Sequence, residues 1–502
     1  MKKLRFTLCA LVLGILPAHS AARPNILFIF SDDHAWQAVS AYNKGLIETP
    51  NIDRIGEEGI RFDRCLVANP LCGPSRATVL TGTHSHINGF WSNTRCTFDG
   101  SQPTFPKMLH QSGYETAIIG KWHLGSEPTG FDTWEILPGQ GDYYNPTMIL
   151  NGQETRLEGY VTDIITDRSL AWLKQRDPSK PFLLMCHQKA PHRNWQPNTS
   201  KLNFDKGKEY PEPSNLFDDY ANRGPGAAEQ NMTIEETMHR NDVKLTTPAR
   251  LNQKQRAAWD AYYQPRNEAF AKANLSGKDL VRWKYQRYMH DYLACVSSVD
   301  DGVGRLLDYL KEAGLEENTI VIYASDQGFF LGEHGWFDKR WIYEESARTP
   351  FLMRWPAKIK PGTVSKALVS NLDFAQTILS AASLPHVSRM QGRSLLPLFD
   401  GSTPEHWRKS FYFHYYDQPS LHKVPRHYGI ITDRYKLFHS YKPKDYWEMY
   451  DLKKDPKEMN SVYNDPEYAP VRKELEQELA KRRKELQVPN KDPRPNKVKK
   501  KK

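Results

Sequence analysis

Four short apolar runs, each stopping on charged or imidazole residues, constrain the fold of this chain more than any other feature. PNILFIF (24–30) stops at SDDH. TAIIGKWHLG (116–125), PFLLMCHQKAPH (181–192) and NTIVIYASDQG (318–328) repeat the plan. Runs this short, rich in β-branched residues and apolar at every position, read as strands buried on both faces. Helical patterns separate them: NIDRIGEEG (51–59), TFPKMLHQSG (104–113) and TDIITDRSLAWLKQR (162–176). The alternation predicts an α/β fold, a doubly wound and mostly parallel sheet flanked by helices. In such sheets the site lies outside the carboxyl ends of the strands.

The rest of the chain is arranged around that sheet. Residues 198–278 are polar and read as an insertion of loops and short helices beside the site. A long helix is expected from Asp279. Its stripe Val281, Tyr285, Tyr288, Tyr292, Val296, Val299, Val303, Leu306 and Leu310 recurs at three- or four-residue spacing and reads as core. After about residue 390 short aromatic runs (410–416, 427–433, 434–441, 446–452) predict an antiparallel sheet in a smaller C-terminal α+β subdomain, 390–490, closed by a charged helix at 469–486. The catalytic unit is then 23–389. The 502 residues suit this division into one large and one small unit.

The ends of the chain account for its charge. Residues 1–22 have a basic start (Lys2, Lys3, Arg5), an apolar stretch and small residues. This is the pattern of a secretory signal peptide, which predicts export to the periplasm or the medium. The apolar stretch is shorter than the roughly 20 residues a membrane span needs, and no other segment qualifies. The net charge is +10, of which the leader supplies three and the basic tail 491–502 six; the tail reads as solvated and disordered. About +1 remains for the folded body, which argues against a nucleic-acid partner. Cysteines stand at 9, 65, 72, 96, 186 and 295. Loss of the leader leaves five, and an exported chain can oxidise four, so one calls for its own explanation.

The polar residues at the strand ends define a chemistry. Asp32, Asp33 and Asp326 are carboxylates that repel unless a cation neutralises them, and Gln327 adds a carbonyl. An all-oxygen donor set favours a hard divalent ion, calcium or magnesium. Lys121, His123, Lys189, His192, Arg193, Lys339 and Arg340 add cations and imidazoles. Such a site suits a compact anion, with phosphate and sulfate esters the obvious candidates. No P-loop or GxGxxG fingerprint is present.

One further motif makes the resemblance specific. CGPSRATVLTG (72–82) is similar to the sulfatase pattern Cys-x-Pro-Ser-Arg followed by Leu-Thr-Gly. The Asp32–Asp33 pair, TPNIDRIGEEGIRF, GKWHLG, His192 and SDQG…GEHGWFDK follow in the family's order, from about residue 24 to 355. The chain is thus identified as resembling type I sulfatases of the alkaline-phosphatase-like fold.

The resemblance implies that a maturation enzyme oxidises Cys72 to Cα-formylglycine (3-oxoalanine), whose hydrate is the nucleophile. A gem-diol can expel sulfate by losing its second proton, an exit that a serine or thiol lacks. It also implies that Asp32, Asp33, Asp326, Gln327 and the modified Cys72 hold calcium, with magnesium the alternative. Gln327 departs from the family's usual Asn or His. Arg76 and Lys121 would stabilise the hydrated aldehyde, His123 would take the elimination proton, His192 would protonate the leaving alkoxide, and Lys339 would hold the sulfate.

The wider wording of SDDHAWQAVSAY, KAPHRNWQP and SDQGFFLGEHGWFDKRWIYEES resembles bacterial N-acetylglucosamine-6-sulfatases and mucin-desulfating sulfatases. This implies an exo-acting enzyme on the 6-O-sulfate of N-acetylglucosamine in mucin O-glycans or glycosaminoglycans. His84, Trp91, Arg193, Asn194, Trp195, His422 and His427 are candidates for the sugar-binding rim, aromatic residues for ring faces and polar ones for hydroxyls or the N-acetyl group. The alternatives are a sulfatase for another glycan position (uronic acid 2-O-sulfate, galactose or N-acetylgalactosamine sulfate), an aryl sulfatase, a phosphoester or phosphonate hydrolase of the same superfamily, or a catalytically silent glycan-binding protein in which Cys72 stays a thiol.

Overall fold

The computed structural model describes residues 23–496. The expected leader, 1–22, and the last residues of the basic tail lie outside the described residues. A ten-stranded mixed sheet organises the larger part of the chain. Its centre is parallel: Thr319–Ser325, Asn25–Ser31, Phe182–His187, Glu115–Lys121 and Thr133–Leu137 lie side by side. Phe351–Arg354 and Ile60–Phe62 extend it antiparallel on one side, with Thr363–Ser365 parallel to Ile60–Phe62 at that edge, and Thr147–Leu150 and Gln153–Arg156 extend it antiparallel on the other. The four strands expected from the sequence are the four adjacent central ones.

Alternation along the first strand explains the two cores. Leu27 and Ile29 join the cluster formed with helices Pro50–Glu57, Val161–Gln175 and Gly277–Glu312. Ile26, Phe28 and Phe30 join the opposite cluster, with helices Cys72–Thr81, Phe105–Gln111 and Asp373–Ala381. Both faces are covered, which is why the strands are apolar at every position. Every member of the Val281–Leu310 stripe is buried in the first core.

The C-terminal part is the expected four-stranded antiparallel sheet, Ser410–Tyr415, Arg426–Thr432, Tyr435–Lys442 and Tyr446–Asp451, with the closing helix Ala469–Glu485. One face packs on Leu475 and Leu479 of that helix. The other packs on Trp336, Trp341 and Tyr343 from the larger unit, so the boundary near residue 390 runs through a shared core.

Three features differ from the sequence reading. The segment 198–278 contains a full helix, Gln253–Ala273, fixed at its start by a reciprocal Asn252–Gln255 capping box. The first part of the tail is tied to the folded body: Asp492 pairs with Arg426 and accepts from Tyr441 Oη at 2.8 Å, and the Asn496 amide donates to Arg95 O at 3.1 Å. All five cysteines of the described residues are buried and unpaired. Cysteine arithmetic therefore gives Cys72 no special standing; its surroundings do.

Candidate active site

Strand register builds the floor of the site. Phe30 lies beside His187 and Ala324, Ser31 beside Ser325, and Gly120 beside His187. The residues following each strand, Asp32–Asp33, Asp326–Gln327 and Lys121, therefore emerge at one level. Gly120 has φ +110°, and a Cβ there would stand 1.9 Å from His187 O, so only glycine lets the strand pass and deliver Lys121. Asp33 adopts φ +66°, as do Asp338 (+83°) and Arg340 (+93°) around Lys339. Non-glycine residues held there cost about 1–3 kcal/mol each, a strain characteristic of functional sites.

Cys72 opens the buried helix Cys72–Thr81 that descends onto this floor. Gly82 ends the helix with φ +62°, the physical reason for the glycine of LTG. The Ser75 hydroxyl donates to Asp326 O and accepts from Asn371 Nδ2, tying the helix to the metal-ligand candidates. Asn93 Oδ1 accepts the Gly73 amide at 3.0 Å. Burial and the nearby Asp32 carboxylate push the Cys72 thiol far up. A cysteine here is protonated at neutral pH and a weak nucleophile.

Three carboxylates face three cations around it. Lys121 Nζ pairs with Asp32. Lys339 Nζ lies 2.7 and 2.6 Å from the two oxygens of Asp33. Arg76 donates to Asp326 Oδ2 from Nε at 3.2 Å and Nη2 at 3.0 Å. All six side chains are at least 95% buried. Burial pushes Asp32 up, but Lys121, His192 and Arg76 outweigh it and hold it well below the usual carboxylate range. Burial, opposed by Lys339 and reinforced by Asp32, raises Asp33 to about 6, and burial with Asp32 also raises Asp326 well above the usual carboxylate range.

The donor set fits a divalent cation. Asp32 Oδ1 and Gln327 Oε1 are buried acceptors that receive no hydrogen bond. Gln327 Nε2 turns to Asp33 Oδ1, and a half-rotation of the amide exchanges its nitrogen for its oxygen at that position. Ligand atoms of Asp32, Asp33, Cys72 and His192 all lie within 4.8 Å of one another. With the three carboxylates balanced by three cations, a divalent ion gives the site a net positive charge, which suits a sulfate ester.

Burial and Lys121 push both histidines well down, and the two differ in their partners. His123 has φ +56° and a buried Nδ1 with no partner. His192 donates from Nδ1 to Arg193 O at 2.6 Å, since a carbonyl only accepts, and its Nε2 stands 3.8 Å from Asp33 Oδ2. His192 borders a cleft of about 760 Å³ shared with Gln140, Tyr143, Lys189, Arg193, Asn194 and others.

The rim candidates divide. Arg193 and Asn194 line the cleft and are braced by Asp242, which accepts from Arg193 Nε at 2.8 Å and Nη2 at 2.6 Å. The other five do not face it. Trp195 is 0% exposed against Tyr288, Phe329 and Phe337. Trp91 and His84 are buried, the latter bonded to Gln391. His427 sits among Trp341, Phe413, Tyr415 and Phe438. His422 is buried with Nε2 3.0 Å from Asp338 Oδ2, behind Lys339.

Sequence reasoning missed several contributors. His187 Nδ1 lies 3.2 Å from Arg76 Nη1, Gln140 Oε1 accepts from Lys121 Nζ at 2.6 Å, and Tyr292 Oη donates to Asp33 O at 2.8 Å while accepting the Ala35 amide. His187 was available as the last residue of its strand. Tyr292 carries only a core signature, and Gln140 carries none.

The chain is similar to known proteins over most of its length. The family model described as Sulfatase matches residues 24–384, and the model for the C-terminal part of N-sulphoglucosamine sulphohydrolase matches 332–485. The chain is similar to N-acetylglucosamine-6-O-sulfatase of Bacteroides thetaiotaomicron, 51% identical over 92% of this chain and 87% of that protein. It is 29% identical to human N-acetylglucosamine-6-sulfatase, over 81% of this chain and 69% of that one. A solved structure in complex with its substrate D-glucosamine-2-N,6-O-disulfate matches with TM-score 0.92 and 51% identity, covering 94% of this chain and 99% of that one. The fold is the alkaline-phosphatase-like one that the sequence implied.

Proposed function

The chain belongs to the sulfatase family, and on that premise we propose that it is an exo-acting sulfatase that removes the 6-O-sulfate from N-acetylglucosamine or N-sulfoglucosamine at the ends of host glycans. The single observation that carries the reading is the environment of Cys72. It is buried at a helix start, ringed by three carboxylate–cation pairs, and held as a thiol too weak to act. Oxidation to the formylglycine that the family implies turns this position into a hydrated aldehyde with an oxygen nucleophile.

Asp32, Asp33, Asp326 and Gln327 would hold the divalent cation, calcium by the family's habit, with magnesium the other hard ion. When bound, the cation would lower the charge repulsion between the nucleophilic oxygen and the sulfate ester. Arg76 and Lys121 orient the modified residue. Lys339, with its ammonium aimed at Asp33, neutralises the sulfate oxygens on the same side. His123, neutral and with an unpartnered nitrogen, takes the proton when sulfate is eliminated. His192 stands at the mouth of the cleft, where, with Nδ1–H held by Arg193 O, a second proton on Nε2 would pass to the departing sugar oxygen and leave the ring neutral. A positioned acid there is worth about 10²–10⁴-fold.

The sugar assignment is supported by the two relatives at 51% identity, one named for N-acetylglucosamine-6-O-sulfate and one bound to D-glucosamine-2-N,6-O-disulfate. Arg193 and Asn194, on the wall of the cleft, would read the 2-amino substituent. The leader at 1–22 would export the chain to the periplasm or beyond, and a formylglycine-generating enzyme would act on the Cys72 motif.

A panel of defined sugars tests the reading: glucosamine 6-sulfates with N-acetyl or N-sulfo groups, the 3-sulfate, galactose and N-acetylgalactosamine 6-sulfates, a uronic acid 2-sulfate, and aryl sulfate and phosphate. Preference for the glucosamine 6-sulfates is expected. Faster turnover of a galactose, uronate or phosphate ester would overturn it.

A further inference from the structure

A second anion-binding surface lies away from the active-site cleft. Two clefts of about 640 and 610 Å³ adjoin where the larger unit meets the C-terminal sheet, and Lys366 and Asp433 border both. The first is walled by Arg61, Arg64 and Arg348 beside Trp36 and Tyr42. The second adds Arg408, Lys409 and Arg434. Only Asp63, Glu405 and Asp433 oppose these cations among the lining residues. No residue of either cleft borders the one at His192. The folded body carries almost no net charge, so this is a local concentration of cations.

Several of these cations already have partners. Arg61 pairs with Asp63 at 2.8 Å, Arg64 with Glu344 at 3.1 Å, Arg408 with Asp373 at 2.5 Å and Arg434 with Asp451 at 2.8 Å. Arg348, Lys366 and Lys409 do not: among the described residues their side chains make no hydrogen bond or ion pair. The Arg348 guanidinium is held 3.9 Å over the Trp36 ring, which fixes its plane and leaves its N–H donors free. A stacked guanidinium with open donors is suited to bidentate recognition of a sulfate or phosphate oxygen pair.

We infer that this groove is a second, non-catalytic binding site for a sulfated polysaccharide. Its two joined clefts are too long for a single ion, and the free cations are distributed along them, as a chain with repeated sulfates requires. Single-stranded nucleic acid fits less well, because base stacking needs an open aromatic face and the Trp36 face is covered by Arg348. Sulfate is also the ester its family hydrolyses. The site would hold the enzyme on a polymer while chain ends reach the active site. It does not depend on the sugar assigned to that site.

The test is binding of size-defined heparin to the full chain, measured with its salt dependence. The comparison is a triple variant, Arg348→Glu, Lys366→Glu and Lys409→Glu. The variant is expected to bind at least about tenfold more weakly with a shallower salt slope, while turnover of a sulfated monosaccharide stays within about twofold. Should the triple variant fold poorly, the exposed pair Lys366→Glu/Lys409→Glu is expected to lose about threefold or more. Deleting residues 497–502 is expected to leave most of the affinity. Hyaluronan, which has carboxylates and no sulfate, and a thymidine oligonucleotide are expected to bind more weakly than heparin. Unchanged heparin affinity in the variants, loss of binding on tail deletion alone, or equal binding of hyaluronan or the oligonucleotide would each overturn the inference.

Discussion

The floor of the active-site cleft and its rim are built by different rules. Every proposed ligand and cation on the floor except Lys339 lies within a few residues of a parallel strand's end or of one helix start, and each carboxylate has its own cation. The rim comes from the loops after Thr133–Leu137 and Phe182–His187, the 198–278 segment and the loop around Leu421, which are far apart in sequence. The floor is held by buried ion pairs that cannot change one partner without stranding the other. The rim is half-exposed and can vary. Chemistry is therefore fixed by register, while sugar choice depends on how distant loops meet.

The sharpest way to break this comparison is at the nucleophile. Cys72→Ser leaves the floor in place but removes the aldehyde and its elimination exit, so steady-state turnover should fall by about 10⁴-fold or more. Persistent activity would show that the floor does not need the modification.

His192→Ala comes next, with a loss of about 10²–10⁴-fold on sugar sulfates. The loss should shrink on an aryl sulfate, whose phenolate leaves without an acid. An equal loss on both substrates would assign His192 to binding.

The rim is tested by a pair. Trp195→Ala should cost about 3–5 kcal/mol of stability by denaturant unfolding, because it empties a core position. Arg193→Ala should instead raise KM by about tenfold or more with kcat little changed, after loss of a directed charged contact. If Trp195→Ala left stability intact and raised KM, the ring would belong to the rim after all.

A pH-dependent loss of stability is expected from His427. Burial lowers it to about 4, and its Nε2 has no partner, while Nδ1 donates to Pro425 O. The folded state resists protonation that the unfolded chain accepts near 6.5, so stability should fall as pH drops from about 6.5 to about 4, by up to about 1.4 kcal/mol per pH unit for this group. His427→Asn, which keeps an N–H donor, should flatten that fall by one group's share in urea titrations at pH 7 and pH 5. An unchanged pH slope would place the charge acceptance elsewhere.

Much of the floor was legible because its residues follow strands whose apolar run ends on them. Asp32, Lys121 and Asp326 could be read from one dimension, since parallel register brings strand ends together without further information. Lys339 could be read as a cation near the site but its place on a loop could not, and Arg76, on a helix, needed the family resemblance. The aromatic rim candidates failed for a physical reason. A tryptophan or histidine next to a motif is as well suited to closing a core as to facing a sugar, and only packing distinguishes the two. Trp195 and His427 went to the core, whereas Arg193 stayed at the surface because Asp242 lies across from it. Tyr292 shows the reverse limit: its periodicity identifies it as core, but not that its hydroxyl braces the Asp33 backbone.

The central claim is that Cys72 is not a cysteine in the working enzyme. Peptide mass spectrometry across residues 65–76, on protein produced with a formylglycine-generating enzyme and assayed on the same day, tests it most directly. The account predicts an aldehyde at position 72 in a fraction of molecules that rises and falls with specific activity. Fully active protein carrying an intact thiol at Cys72 would contradict it.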